Sequence, residues 1–281
     1  MNNAKQNMHR SPMDDILERD KLNKRLNRIK HKILVFSGKG GVGKSTVAVN
    51  LAAGLARDGF KVGLLDIDIH GPSVPKLLKI EHHKFSFENG MMQPISVTEN
   101  FKVVSMGFLL DNSETAVIWR GPRKMGAIKQ FITDVQWEDL DYLIVDSPPG
   151  TGDEPLTICQ LIPDADGAII VTTPQDLAII DVKKAITFCR QMNMNILGVV
   201  ENMSGFTCPH CGKEVQIFKH GGGKEMAEKM GVPFIGKIPI DPEIVTLGDE
   251  GKPYVQHAKS SDGKRSFDKI INAIRKSTLE L

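Results

Sequence analysis

The densest chemical signal in the chain is the run Gly38-Lys39-Gly40-Gly41-Val42-Gly43-Lys44-Ser45-Thr46, a complete GxxxxGK[ST] loop directly after an apolar, strand-like stretch. Glycines let successive backbone N–H groups turn inward around phosphate oxygens, Lys44 brings an ammonium near the β and γ phosphates, and the Ser45 hydroxyl can ligate Mg2+. Leu64-Leu65-Asp66-Ile67-Asp68 sets two acids at i and i+2, on one side of an extended chain. A carboxylate there orients a water in line with the γ phosphate or holds a metal-bound water; the alternative is a helix cap for the segment from Pro72. Tyr142 to Asp146 ends a further apolar stretch in an acid and continues as Ser147-Pro148-Pro149-Gly150-Thr151-Gly152-Asp153. After a phosphate loop, Asp146 is suited to accept from Mg2+-bound water, and the Gly150 N–H to meet the γ phosphate as a switch. Asn202 follows another apolar run, where its amide offers a donor and an acceptor to a purine edge. Asp241, in Pro239-Ile240-Asp241-Pro242, either borders the base or caps the next helix.

A second kind of chemistry belongs to Cys208-Pro209-His210-Cys211-Gly212, a thiolate knuckle of the type used for zinc or iron–sulfur ligation. Two thiolates fill half of a tetrahedral site. A second CxxC from a two-fold-related subunit would supply four, the ligand count of a [4Fe–4S] cluster. The competing readings are a zinc site completed by His210 or His220, and a redox dithiol. Cys159 and Cys189 stand alone in helix-like sequence and read as core. Gly221-Gly222-Gly223, after His220, reads as the turn that opens a helix rather than a second anion nest.

These residues need a frame. From Lys32 onward, short β-rich apolar runs alternate with helix-like stretches: Ile33 to Phe36, Val62 to Leu65, Val103 to Ser105, Tyr142 to Val145, Ala168 to Val171, Ile196 to Val200 and Phe234 to Ile238. Continuous hydrophobicity implies strands covered on both faces. The expectation is therefore an α/β fold, one P-loop NTPase domain over 32–281 with a doubly wound, mostly parallel sheet that also contains the CxxC. Residues 1–31 read as a flexible tail and a helix from the Ser11 cap to about Lys30, with Ile16, Leu22, Leu26 and Ile29 on its apolar side. Asn89-Gly90 marks a hairpin between Phe85 and Ile95 at the sheet edge. Near the end, Phe267, Ile270, Ile271 and Ile274 form an apolar stripe on a basic helix, which either closes the sheet or grips a membrane; closing the sheet is the favoured reading.

The chain's 281 residues, 41% hydrophobic and 25% charged, supply a full core. Lys and Arg number 36 against 34 Asp and Glu, a net charge of +2, so there is no domain-wide basic field for nucleic acid. Four cysteines, no secretory leader pattern and no apolar run near the ~18 residues of a membrane span imply a reducing, cytoplasmic setting.

Lys39, a second lysine inside the loop, makes GKGGVGKS similar to the deviant Walker A motif shared by nitrogenase iron protein and the Min and Par ATPases. Taken with LLDIDIHGPS, WRGP at Trp119 to Pro122, YLIVDSPPGTGD, ENMS at Glu201 to Ser204, CPHCG and FKHGGG, the sequence closely resembles the Mrp/ApbC family of iron–sulfur cluster carrier ATPases over nearly all of 32–281. The four-cysteine N-terminal motif of eukaryotic relatives and the accessory domain of many bacterial ones are not seen. The resemblance implies a homodimer in which Lys39 reaches the partner's nucleotide, Asp68 activates water and Asp66 lies nearer the Mg2+ shell. It also implies that Asn202 contacts the purine; with no Asn-Lys-x-Asp motif present, ATP is expected over GTP. The implied cargo is a labile [4Fe–4S] cluster held by Cys208 and Cys211 and passed to apo iron–sulfur proteins with cluster assembly factors. A Min/Par-type positioning ATPase, or a P-loop ATPase with a structural zinc site, is the alternative.

Overall fold

In a parallel sheet sandwiched between helices, alternate residues of one strand must serve two different cores. The computed structural model describes residues 12–69, 71–109, 121–208, 210–259 and 261–280. Its strands are β1 (Ile29–Phe36), β2 (Val62–Asp66), β3 (Phe87–Glu88), β4 (Met91–Met92), β5 (Ile95–Thr98), β6 (Phe101–Ser105), β7 (Leu140–Asp146), β8 (Gly167–Thr172), β9 (Ile196–Glu201), β10 (Phe206–Thr207), β11 (Glu214–Val215) and β12 (Phe234–Lys237). The helices are α1 (Pro12–Leu26), α2 (Lys44–Arg57), α3 (Val74–Leu77), α4 (Gly121–Thr133), α5 (Asp153–Leu161), α6 (Asp176–Gln191), α7 (Gly222–Lys229), α8 (Pro242–Asp249), α9 (Tyr254–His257) and α10 (Asp262–Leu279).

Eight strands form the main sheet in the order β12-β9-β8-β1-β7-β2-β6-β5, parallel throughout except for β5 against β6. Within β1, Leu34 and Phe36 join the core under α1, α4, α5, α6 and α7, whereas Ile33 and Val35 join the one under α2, α9 and α10. The doubly wound α/β expectation holds. β1 lies between β7 and β8, so the chain leaves it at the centre of the sheet's carboxyl edge, where the strand order reverses and ligands bind in such folds.

The N-terminal boundary is shifted. The helix expected to reach about Lys30 ends at Leu26, and β1 opens at Ile29, so residues 29–31 belong to the sheet. Ile29 is buried and pairs with Leu140 on β7, and that pairing outweighs continuation of the helical spacing. Leu22 and Leu26 are buried where α1 packs on α4, while Ile16 is exposed. The tail with its Ser11 cap lies outside the described residues, as do His70, Trp119, Arg120 and Pro209. The Asn89-Gly90 turn forms with φ of +50° and +75° and joins β3 to β4 as a separate pair. The edge strand β5 was not expected: its alternating, half-buried residues carry little apolar signal.

The apolar stripe of α10 faces inward. Phe267, Ile270, Ile271 and Ile274 are each at most 1% exposed. The fit is tight: a Cβ on Gly54 of α2 would fall 2.2 Å from Ile271 Cδ1, and one on Gly236 of β12 would fall 2.6 Å from Ile270 Cγ1. Among the described residues no helix is long and apolar enough to cross a membrane.

Candidate functional site

Strands β2, β6, β7, β8 and β9 all end at one edge with a polar residue, and the phosphate-type loop lies at that same edge, directly after β1. Gly43, at φ +80°, turns the loop into α2, so Lys44 is the first helical residue. A Cβ there would meet Asn202 Nδ2 at 2.2 Å, so both conformation and space require glycine. Lys44 Nζ donates to Asp146 Oδ1 at 2.5 Å and lies 3.4 Å from Ser45 Oγ. Asp146 is fully buried, and its Oδ2 has no hydrogen-bond partner among the described residues. A cavity of about 290 Å³ opens on the loop, walled by Ser37, residues 39–46, Asp68, Gly71, Ser73, Leu77 and Pro149. Lys39 and Thr46 thus line the same space as Gly40, Gly41, Val42 and Ser45. Gly38 lies behind it, pressed so close to α6 that a Cβ would sit 2.3 Å from the Asp181 carbonyl oxygen.

The three acids separate by depth. Asp66 and Asp146 are direct partners in the β2–β7 register. Asp66 accepts from Ser105 Oγ at 2.8 Å and from the Asp68 N–H at 3.1 Å. Burial, followed by the neighbouring Asp146 charge, pushes the Asp66 carboxyl up to about 8. Asp68 stands forward of this pair in the cavity wall and accepts from the Gly71 N–H at 3.2 Å, closing a turn rather than capping α3, whose N-cap is Ser73. The Gly150 N–H, the expected switch, donates to the Ser37 carbonyl at 2.8 Å, which ties that segment to the end of β1.

Asn202 sits at the loop, but its amide donates to the Val42 carbonyl at 2.9 Å and so braces the loop from behind. Asp241 takes the capping role left open by the sequence: Oδ1 accepts from the Glu243 N–H at 2.9 Å at the start of α8, and Oδ2 from the Tyr254 hydroxyl at 2.5 Å. It is not among the residues walling the loop cavity.

The cysteines fall into two classes. Cys208 and Cys211 lie between β10 and β11 on a hairpin whose described residues from 210 to 220 are all exposed. Backbone N–H groups of Cys211 and His210, and then the Cys211 thiol, bond to the Cys208 sulfur and hold it below the usual thiol range. Among the described residues no three or more His, Cys, Asp or Glu side chains are grouped so as to hold a metal ion, and neither His210 nor His220 is grouped with the pair. Cys159 and Cys189 are buried in the core, where desolvation pushes their thiols up to about 11 and about 12.

Ser105, Ser37 and Glu201 were not singled out in the sequence as site residues. Each ends, or directly follows, a buried strand with a polar group, the same signal that exposed Asp66 and Asp146.

Residues 28–275 match the profile of the NUBPL iron-transfer P-loop NTPases. An iron–sulfur cluster carrier protein of Methanocaldococcus jannaschii is 51% identical over 255 residues, covering 90% of this chain and 87% of that protein. A cytosolic Fe–S cluster assembly factor, an Nubp2 homolog of Aedes aegypti, is 55% identical over 254 residues, covering 89% of this chain and 98% of its own length. Among solved structures, a nucleotide-binding protein from Archaeoglobus fulgidus in complex with ADP, with cobalt, superposes with a TM-score of 0.75 at 39% identity, covering 87% of this chain and 98% of that one. The cell division ATPase MinD of Pyrococcus furiosus shares the fold, with a TM-score of 0.62 at 22% identity over 88% of this chain and 99% of its own. With a complete phosphate loop, acids at the ends of β2 and β7 and a profile match over most of its length, this chain belongs to the NUBPL iron-transfer P-loop NTPase family.

Proposed function

We propose that this protein is an ATP-dependent iron–sulfur cluster carrier. In this reading a homodimer holds a labile [4Fe–4S] cluster between two Cys208/Cys211 pairs and passes it to apo iron–sulfur proteins, with cluster assembly factors as further partners. The observation that carries it is the exposed dithiol hairpin, a half-filled ligand set on a P-loop ATPase domain. The names of the archaeal and mosquito relatives support the cargo, and the cytosolic designation of the latter supports a cytoplasmic location.

Within the nucleotide site, the loop N–H groups and Lys44 bind the phosphates, which requires Lys44 to exchange Asp146 for the β and γ oxygens. Ser45 and Asp146, with its unpartnered oxygen, fit Mg2+, with Asp66 behind them; the ion supplies charge neutralisation at the phosphates. Asp68, in the cavity wall, orients the attacking water, and Lys39 acts on the partner's nucleotide. The Gly150 N–H is released from Ser37 to read the γ phosphate.

Counting thiolates tests the reading. Anaerobic reconstitution should saturate near about two iron atoms per chain, because four ligands come from two chains. Cys208→Ser or Cys211→Ser should remove the brown chromophore; Cys159→Ser and Cys189→Ser should not. Four irons per chain, or a single colourless metal per chain lost on changing His210 or His220, would overturn the bridging model.

A further inference from the structure

The carboxylate of Glu201, at the end of β9, is fully buried and has no part in the chemistry above. Its Oε1 accepts from Ser204 Oγ at 2.5 Å and from the Gly221 N–H at 2.9 Å, and its Oε2 accepts from the Gly223 N–H at 2.6 Å. These donors lie on opposite sides of the cysteine hairpin. Ser204 precedes β10, and Gly221 and Gly223 follow the exposed run after β11. One side chain therefore closes both ends of the excursion that carries Cys208 and Cys211. Backbone bonds from Ile238 to Glu201, Ser204 to Ile238 and Ile240 to Gly205, at 2.8, 2.9 and 2.8 Å, seat the same segment against β12 and the residues after it.

The next residue along, Asn202, grips the nucleotide loop through Val42 at 2.9 Å, and its own N–H donates to the Thr172 carbonyl at 2.7 Å. Met203 is held at φ +57°, a left-handed conformation that a long side chain rarely adopts, so the turn is set by its surroundings. The loop that binds phosphate and the base of the hairpin are thus joined by two adjacent side chains sharing one peptide unit. We propose that Glu201 is a positioning residue that transmits the state of the nucleotide loop to the Cys208–Cys211 hairpin. This rests on the carrier reading, which puts the cargo on that hairpin. Movement of Val42 and Gly43 around phosphate displaces the Asn202 amide, and Glu201 passes the displacement to both hairpin ends through short bonds to a carboxylate. Glutamate suits the role because three donors converge on two oxygens; a glutamine would turn its NH2 toward at least one of them.

The experiment is amide hydrogen exchange on the full chain, without nucleotide, with ADP and with a non-hydrolysable ATP analogue, read on peptides covering 38–46 and 204–223. In the wild type, exchange in both regions should depend on nucleotide, by roughly fivefold or more in the hairpin. Glu201→Gln should keep the loop response and analogue binding but lose the hairpin response. Gly223→Ala reaches the same carboxylate without changing charge, since its Cβ would lie 3.0 Å from Glu201 Oε2, and should show the same loss if Glu201→Gln does not fold. A merely structural Glu201 predicts faster hairpin exchange in every state with the nucleotide dependence intact, and that result overturns the proposal. So does a wild-type hairpin that stays silent while the loop responds. Iron and sulfide analysis of the same preparation separates the two readings: a responsive hairpin that takes up no iron would overturn the carrier reading and leave the coupling standing.

Discussion

The proposed nucleotide site gives Lys44 two tasks that compete. Lys44 neutralises the buried Asp146 in this structure, and in the proposed site it must serve the phosphates once nucleotide is bound. Lys44→Ala should therefore weaken ATP binding by roughly 10- to 100-fold, the range for a lost charge-assisted bond, and should also lower stability, because a buried carboxylate loses its partner. Lys39→Ala should spare affinity and slow hydrolysis. Equal losses of affinity in titrations of the two variants would end the proposed division of labour. Asp66 makes a separate prediction. Its folded-state value near 8 lies above the ordinary 3.8, so the native protein keeps a proton that the unfolded chain releases. The sign follows: this contribution to stability is complete below about pH 4 and is lost as pH rises through about 8. In metal-free, nucleotide-free protein, Asp66→Asn should flatten the fall in urea midpoint between pH 5 and 8. An unchanged slope would mean that Asp66 is ionised in the folded protein at neutral pH.

At the scale of the element, α10 decides between closing the sheet and gripping a membrane. Its four apolar side chains are buried against α2 and β12, with Gly54 and Gly236 making room for Ile271 and Ile270. Ile271→Ala should cost about 2–5 kcal/mol in denaturant unfolding, the range for emptying a packed aliphatic site. Truncation from Lys264 should lower the melting temperature and solubility together. A truncated protein that kept its melting temperature but lost ATP-dependent binding to anionic liposomes would contradict the packing. The cysteine hairpin is the opposite kind of element: short, exposed, and held at its base rather than by a core. That leaves its thiols accessible while the buried Cys159 and Cys189 stay protonated and inert.

At the scale of the whole molecule, the carrier reading requires two chains, because one chain brings half of a cluster's ligands and Lys39 is assigned to the partner's nucleotide. If Asp68 orients the attacking water as proposed, Asp68→Asn should bind ATP, hydrolyse it slowly and accumulate as an ATP-dependent dimer in light-scattering chromatography. Lys39→Ala should shift that equilibrium toward monomer by about 10-fold, the size of one lost charge-assisted contact. An Asp68→Asn protein that remains monomeric with ATP and loaded cysteines would remove the bridging geometry.

The phosphate loop, the acids at the ends of β2 and β7, the cysteine knuckle and the doubly wound sheet were all legible in the residues themselves. The reason is that each is a local pattern: a glycine spacing, a polar residue closing an apolar run, a CxxC beside a turn. What needed the tertiary structure was every choice between two local solutions. Residues 29–31 read as the end of the N-terminal helical segment until Leu140 pairs with Ile29 in the sheet; Asp241 could border a base or cap α8 until Glu243 and Tyr254 take both of its oxygens. Asn202 carries an amide suited to a purine, and the contact of its Nδ2 with the Val42 carbonyl could not be read from the sequence. Glu201 carried the same strand-end signal as Asp66 and Asp146, but its partners were not legible, because they are serine and glycine groups brought together only when the chain returns from the hairpin. Sequence specified which chemistry was present; long-range packing decided which partner each polar group met, since a buried donor or acceptor must find one wherever the fold places it.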